Sequence, residues 1–129
     1  MRFDGTLLIT DPCYIVKSDA DWQKCAWGAD MGALGFTQCL YIEAGGDIVG
    51  KVYNTDTADL LGRFCTDSGV IVVIDYAEAL RCNSQLADEL TQFPHIGTVI
   101  HGFCGDVEWN ARTRTLSGTG SIPFTIKIQ

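Results

Sequence analysis

Two short stretches hold residue types able to do chemistry. Thr66-Asp67-Ser68-Gly69 places a carboxylate between two hydroxyls within the otherwise apolar run GRFCTDSGVIVVIDY. A carboxylate so placed can bind a metal, orient a ligand or act as a general base. The tetrapeptide is also good turn chemistry, with Asp67 accepting a local N–H and Gly69 supplying a positive φ. The sequence favours the turn. Asp11-Pro12-Cys13-Tyr14 sets a carboxylate, a thiol and a phenol almost side by side. Asp11 reads as a binding carboxylate and Cys13 as a nucleophile, or Asp11 satisfies backbone donors where Pro12 interrupts a strand. A nucleophilic Cys needs its pKa lowered by a nearby His or a helix N-terminus. The histidines are His95 and His101, and neither makes a Cys-His signature with a cysteine. His101, in Gly97–Phe103, reads as a half-buried, hydrogen-bonded strand residue, and His95 after Pro94 as an exposed loop residue.

The candidate ligand-binding set is therefore Asp11, Tyr14, Thr66, Asp67, Ser68 and His101. Asp67, Asp11 and His101 are the candidates for any catalysis. No metal or cofactor is expected. The acids and histidines fall in no spacing that demands an ion, and no CxxC pair occurs. Gly45-Gly46-Asp47 and Gly118-Thr119-Gly120 fit no phosphate-binding loop, and GxSxG is missing.

These residues need elements to position them. Gly5–Ile9 reads as a strand broken by Asp11-Pro12, with Cys13–Val16 resuming it. Ser18 can cap a short helix that carries Trp22, Cys25 and Ala26 and ends at Gly28. Gly35–Ala44 and Ile48–Asn54 flank Gly45-Gly46-Asp47 and read as a hairpin. Arg63–Thr66 and Val70–Asp75 form a second hairpin candidate around Asp67-Ser68-Gly69. The unbroken apolar run Val70–Ile74 implies a strand buried on both faces. Tyr76–Cys82 holds one or two helical turns. Asn83 caps a clearer helix, Ser84–Phe93, with Leu86 and Leu90 four apart and Pro94 just beyond. Gly97–Cys104, Asp106–Asn110, Thr115–Gly118 and Pro123–Ile128 read as strands. The expected fold is mainly β, with α+β as the neighbouring class: an antiparallel sandwich or partly open barrel with two short helices.

At 129 residues one domain, 1–129, is expected. A net charge of −7 and no basic cluster argue against direct nucleic-acid binding. No run approaches the roughly 20 apolar residues of a membrane helix. The six cysteines, with no signal peptide ahead of Arg2-Phe3-Asp4, read as reduced and mostly buried in a cytoplasmic protein.

Gly5–Tyr14 (GTLLITDPCY) together with Gly62–Gly69 (GRFCTDSG), followed by an apolar strand ending at Asp75, resembles a family of uncharacterised bacterial and phage proteins. Those proteins carry an early Asp-Pro motif and a later Gly-x-x-x-[Val/Thr]-Asp-[Ser/Ala]-Gly motif. The resemblance implies no reaction. It implies that Asp11 and Asp67 are structural anchors facing each other across the sheet, or the floor of a shared site.

Three functional readings follow. The first is a non-catalytic binding protein of bacterial or phage origin that captures a small polar metabolite or a host protein, as an anti-defence accessory protein would. The second is a small hydrolase using Asp67, Asp11 and His101. The third is a structural or assembly subunit whose edge strands pair into a homo-oligomer.

Overall fold

The computed structural model describes residues 1–18 and 39–128. The helix expected from Ser18 to Gly28 lies outside these, apart from Ser18 itself. Among the described residues eight strands form one antiparallel sheet: β1 (Arg2–Thr10), β2 (Cys39–Glu43), β3 (Ile48–Asn54), β4 (Leu60–Thr66), β5 (Val70–Asp75), β6 (Gly97–Asn110), β7 (Thr115–Gly120) and β8 (Phe124–Lys127). Helices α1 (Tyr76–Cys82) and α2 (Leu86–Gln92) lie between β5 and β6, and 3-10 turns occupy Pro12–Tyr14 and Pro94–Ile96. The strand order is β2-β5-β1-β6-β7-β8-β3-β4. The sheet curls into a half-barrel, the partly open barrel of the sequence reading.

Both expected hairpins are overturned by this order. β2 pairs with β5, and β3 pairs with β4 and β8, so the Gly45-Gly46 link joins strands that are not neighbours. Likewise β4 and β5 do not pair, and lie toward opposite ends of the sheet. Asp67-Ser68-Gly69 must nevertheless connect them. Four residue steps from Thr66 to Val70 reach about 14 Å at most, so this short link requires the sheet to curl until its two ends approach. Local turn chemistry is present in both links; what it cannot specify is which strand lies alongside.

The β5 run is buried on both faces, as its unbroken apolar sequence implies. Ile71 and Val73 enter the concave core with Phe3, Leu7, Ile9 and Phe64. Val72 and Ile74 face the other way, onto Leu8, Ile15, Val16, Ala79 and Leu86 beneath the helices. At the far end, β4 folds over the start of β6, where Thr98 Oγ1 donates to the Arg63 carbonyl at 2.9 Å. Gly62 permits that approach, since a Cβ there would stand 2.6 Å from Thr98 Cγ2.

Other local expectations need adjustment. Cys13–Val16 is not a strand: Pro12 opens a 3-10 turn whose N-cap, Asp11, accepts from Cys13 N–H. Asn83 does not cap α2. It closes α1, and its Oδ1 accepts from Gln85 N–H one step ahead of the helix. Asp75 caps α1 by accepting from Ala77 and Glu78 N–H. The segments on either side of Gly105 are one continuous strand, β6.

Candidate functional site

The two stretches singled out by their chemistry meet. Asp11 follows the last residue of β1 and is fully buried. Its Oδ1 accepts from Cys13 N–H at 2.8 Å and from Ser68 Oγ at 3.0 Å. Its Oδ2 accepts from Asp67 N–H at 3.1 Å, Ser68 N–H at 3.2 Å and Ser68 Oγ at 3.0 Å. Thr66 Oγ1 lies 3.2 Å from Ser68 Oγ, and Val70 N–H donates to that same Ser68 oxygen. Asp11 thus ties the end of β1 to the link between β4 and β5. Next to it, Ala44 and Gly45 N–H both donate to the Gly69 carbonyl, clipping the end of β2 to the same link.

Burial opposes ionisation of Asp11. The Thr66 hydroxyl and the N–H groups of Cys13 and Ser68, with the Cys13 thiol, outweigh it and hold the carboxyl below the usual aspartate range. Cys13 moves the other way. Burial, then the charge of Asp11 and its hydrogen bond, then the charge of Asp67, push the thiol up to about 12. Tyr14 is likewise pushed up to about 12 by burial and by the neighbouring Cys65 and Cys13. The Tyr14 carbonyl accepts from Asn83 Nδ2 at 2.7 Å, which joins this turn to the helical face.

Asp67 differs from its expected role. It does not accept a hydrogen bond inside the turn; its backbone N–H donates to Asp11, and its exposed carboxylate accepts none among the described residues. Gly69 does have the positive φ expected of it, +78°.

His101 is exposed rather than half-buried. The pairing of Thr10 with Gly97 puts it four residues along β6 from the Asp11 end of β1, or roughly 13 Å at the rise of a strand. The structure therefore brings Asp11, Tyr14, Thr66, Asp67 and Ser68 into one neighbourhood and leaves His101 outside it. His95 is exposed, as expected. The cysteines correct another expectation: Cys13, Cys39 and Cys65 are half-buried, and Cys82 and Cys104 are exposed. Cys25 lies outside the described residues. Cys65 joins the neighbourhood beside Tyr14, whose hydroxyl it helps to push up, with no signal for it in the sequence.

Asp11, Cys13 and Asp67 offer ligand atoms within 4.8 Å of one another. Both Asp11 oxygens already accept hydrogen bonds from the protein. These donors fit a hydrogen-bonded knot. Among the described residues no helix is long and apolar enough to cross a membrane. Comparison with protein-family models, curated proteins and solved structures finds no match.

Proposed function

We propose that the chain is a non-catalytic binding domain of bacterial or phage origin, acting in the cytoplasm on a small polar ligand or a host protein, in the manner of an anti-defence accessory protein. The observation that carries this reading is the saturation of Asp11. A general base or nucleophile-activating carboxylate needs a lone pair directed at a substrate. Both oxygens of Asp11 are instead directed at Cys13, Asp67 and Ser68 of its own fold. The adjacent thiol keeps its proton at neutral pH, so it offers no thiolate nucleophile. The origin and the host setting follow the motif resemblance.

The test is affinity capture from a bacterial lysate on the tagged protein, with mass spectrometry of both the retained proteins and the small molecules released on denaturation. A retained metabolite or a stoichiometric host protein is expected. Purified protein that retains neither, or that turns over a lysate metabolite, would overturn the reading.

A further inference from the structure

A second polar region lies away from the Asp11 knot, on the outer side of β4. An open pocket of about 380 Å³ is lined by Leu60, Gly62, Arg63, Pro94 and His95. Its size falls in the range of small-molecule sites, roughly 300–1,000 Å³. It forms because the Pro94–Ile96 turn packs against β4. Thr10 Oγ1 anchors that turn by donating to the Ile96 carbonyl at 2.7 Å.

The charge here is opposite to that of the molecule. The chain carries 16 acidic residues against nine Lys and Arg. Yet Arg63 lies directly across from Lys51 in the β3–β4 register, on the outward face. Cross-strand partners hold their Cβ atoms about 4.5–5.5 Å apart, and like charges so placed destabilise a sheet. Among the described residues no acidic side chain pairs with Lys51, Arg63 or His95, whereas Arg2 pairs with Asp4 and Lys17 with Glu89. The surroundings are apolar. Leu60 and Phe93 are 47% and 45% exposed, and the Phe93 ring meets the His95 ring edge-on, with centroids 6.2 Å apart.

We propose that this pocket binds a small organic anion, a carboxylate or phosphate monoester carrying an apolar body. Arg63 and His95 take the anionic head, with Lys51 adding a nearby positive charge from across the strand pair, and Leu60 and Pro94 take the body, beside the exposed Phe93 ring. A bound anion would relieve the Lys51–Arg63 repulsion, and the planar guanidinium suits either head group. The proposal rests on the binding reading above and gives it a site and a ligand class.

The experiment is a titration of the labelled protein, followed by amide NMR shifts, with benzoate, phenyl phosphate and the neutral isostere benzyl alcohol. Either anion should shift the amides of Leu60, Gly62, Arg63 and His95 and leave those of Asp67 and Ser68 in place. Benzyl alcohol should bind at least about tenfold more weakly, as should either anion to Arg63→Gln or His95→Gln, the expected loss for one charge-assisted hydrogen bond. Lys51→Gln should cost about threefold, as a neighbouring charge without direct contact would. Both head groups support the proposal, and their relative affinities say which is preferred. Equal binding of the neutral isostere, unchanged affinity in both folded variants, or no shift with millimolar anion would each overturn it. None of these would touch a lysate partner retained equally by Arg63→Gln, which keeps the broader binding reading. Turnover of a probe would instead overturn the non-catalytic reading and leave the pocket standing.

Discussion

Asp11 and Arg63 both lie within a few residues of the end of β4 in space or in sequence, yet their charges are handled in opposite ways. Asp11 is fully buried and receives hydrogen bonds on both oxygens from Cys13, Asp67 and Ser68. Arg63 is exposed, faces Lys51, and has no acidic partner among the described residues. The residue types that look most chemical, an Asp-Pro-Cys and a Thr-Asp-Ser-Gly, are engaged in holding the half-barrel together. The region with unused electrostatic capacity contains residues that are ordinary in sequence. The proposed site is marked by polar capacity left unfilled beside a concavity.

That contrast is broken most directly at Asp11. Asp11→Ala leaves the N–H groups of Cys13, Asp67 and Ser68 without their acceptor, and hydrogen bonds to charged groups are each worth about 1.5–3 kcal/mol. A loss of at least about 3 kcal/mol is expected by denaturant unfolding. A loss below about 1 kcal/mol would mean that the knot is ornamental to the fold. Gly69→Ala should rank next. Its φ of +78° and a Cβ only 3.0 Å from Gly46 N make strain unavoidable, and the left-handed conformation alone costs about 1–2 kcal/mol. An unchanged melting temperature would show that the link can reshape.

Smaller effects should appear in the pH dependence of stability. The Asp11 pKa is lower in the folded state, so its contribution is fully present above the unfolded value and is lost as pH falls through the folded one. Asp11→Asn should flatten that acid limb. Cys13 shifts the other way, so its contribution is full below the unfolded thiol value and falls away as pH rises toward about 12. Cys13→Ala should flatten part of the alkaline limb, leaving the share that Tyr14 contributes. Urea midpoints across acid and alkaline series would read both limbs, and variants with unaltered slopes would dissociate these groups from the knot. The smallest effect belongs to Asp67→Asn. Its side chain is exposed and accepts no hydrogen bond among the described residues, so stability should change by no more than about 0.5 kcal/mol. A large loss would return Asp67 to the structural role the sequence first suggested.

Much of the β pattern was legible because its signals are local. The apolar run of β5 announces burial on both faces, since each successive side chain points to the opposite side of the sheet. Gly69 announces a positive φ, and Pro94 the end of α2. The Asp75 cap of α1 was missed, because Asp75 read as the end of a strand, although Glu78 three residues on gives the spacing of a capping box. The strand partners were not legible. A glycine turn permits a hairpin, but both glycine turns here join strands whose partners lie elsewhere in the sheet.

The sequence by itself determined that the chain forms short antiparallel strands around a large apolar core, and that Asp11 and Thr66–Gly69 are special. Side-chain alternation, turn preferences and the donor-poor proline act over a few residues, and each leaves a readable mark. Only the tertiary structure decided what those special residues do. Asp11 meets Asp67 and Ser68 across 56 and 57 positions of chain, because the sheet curls enough for a short link to join β4 to β5. The same curl seats β4 against the Pro94–Ile96 turn, and the β3–β4 register sets Arg63 opposite Lys51. Closure of a sheet is a balance of packing over the entire core, so no window of residues carries it.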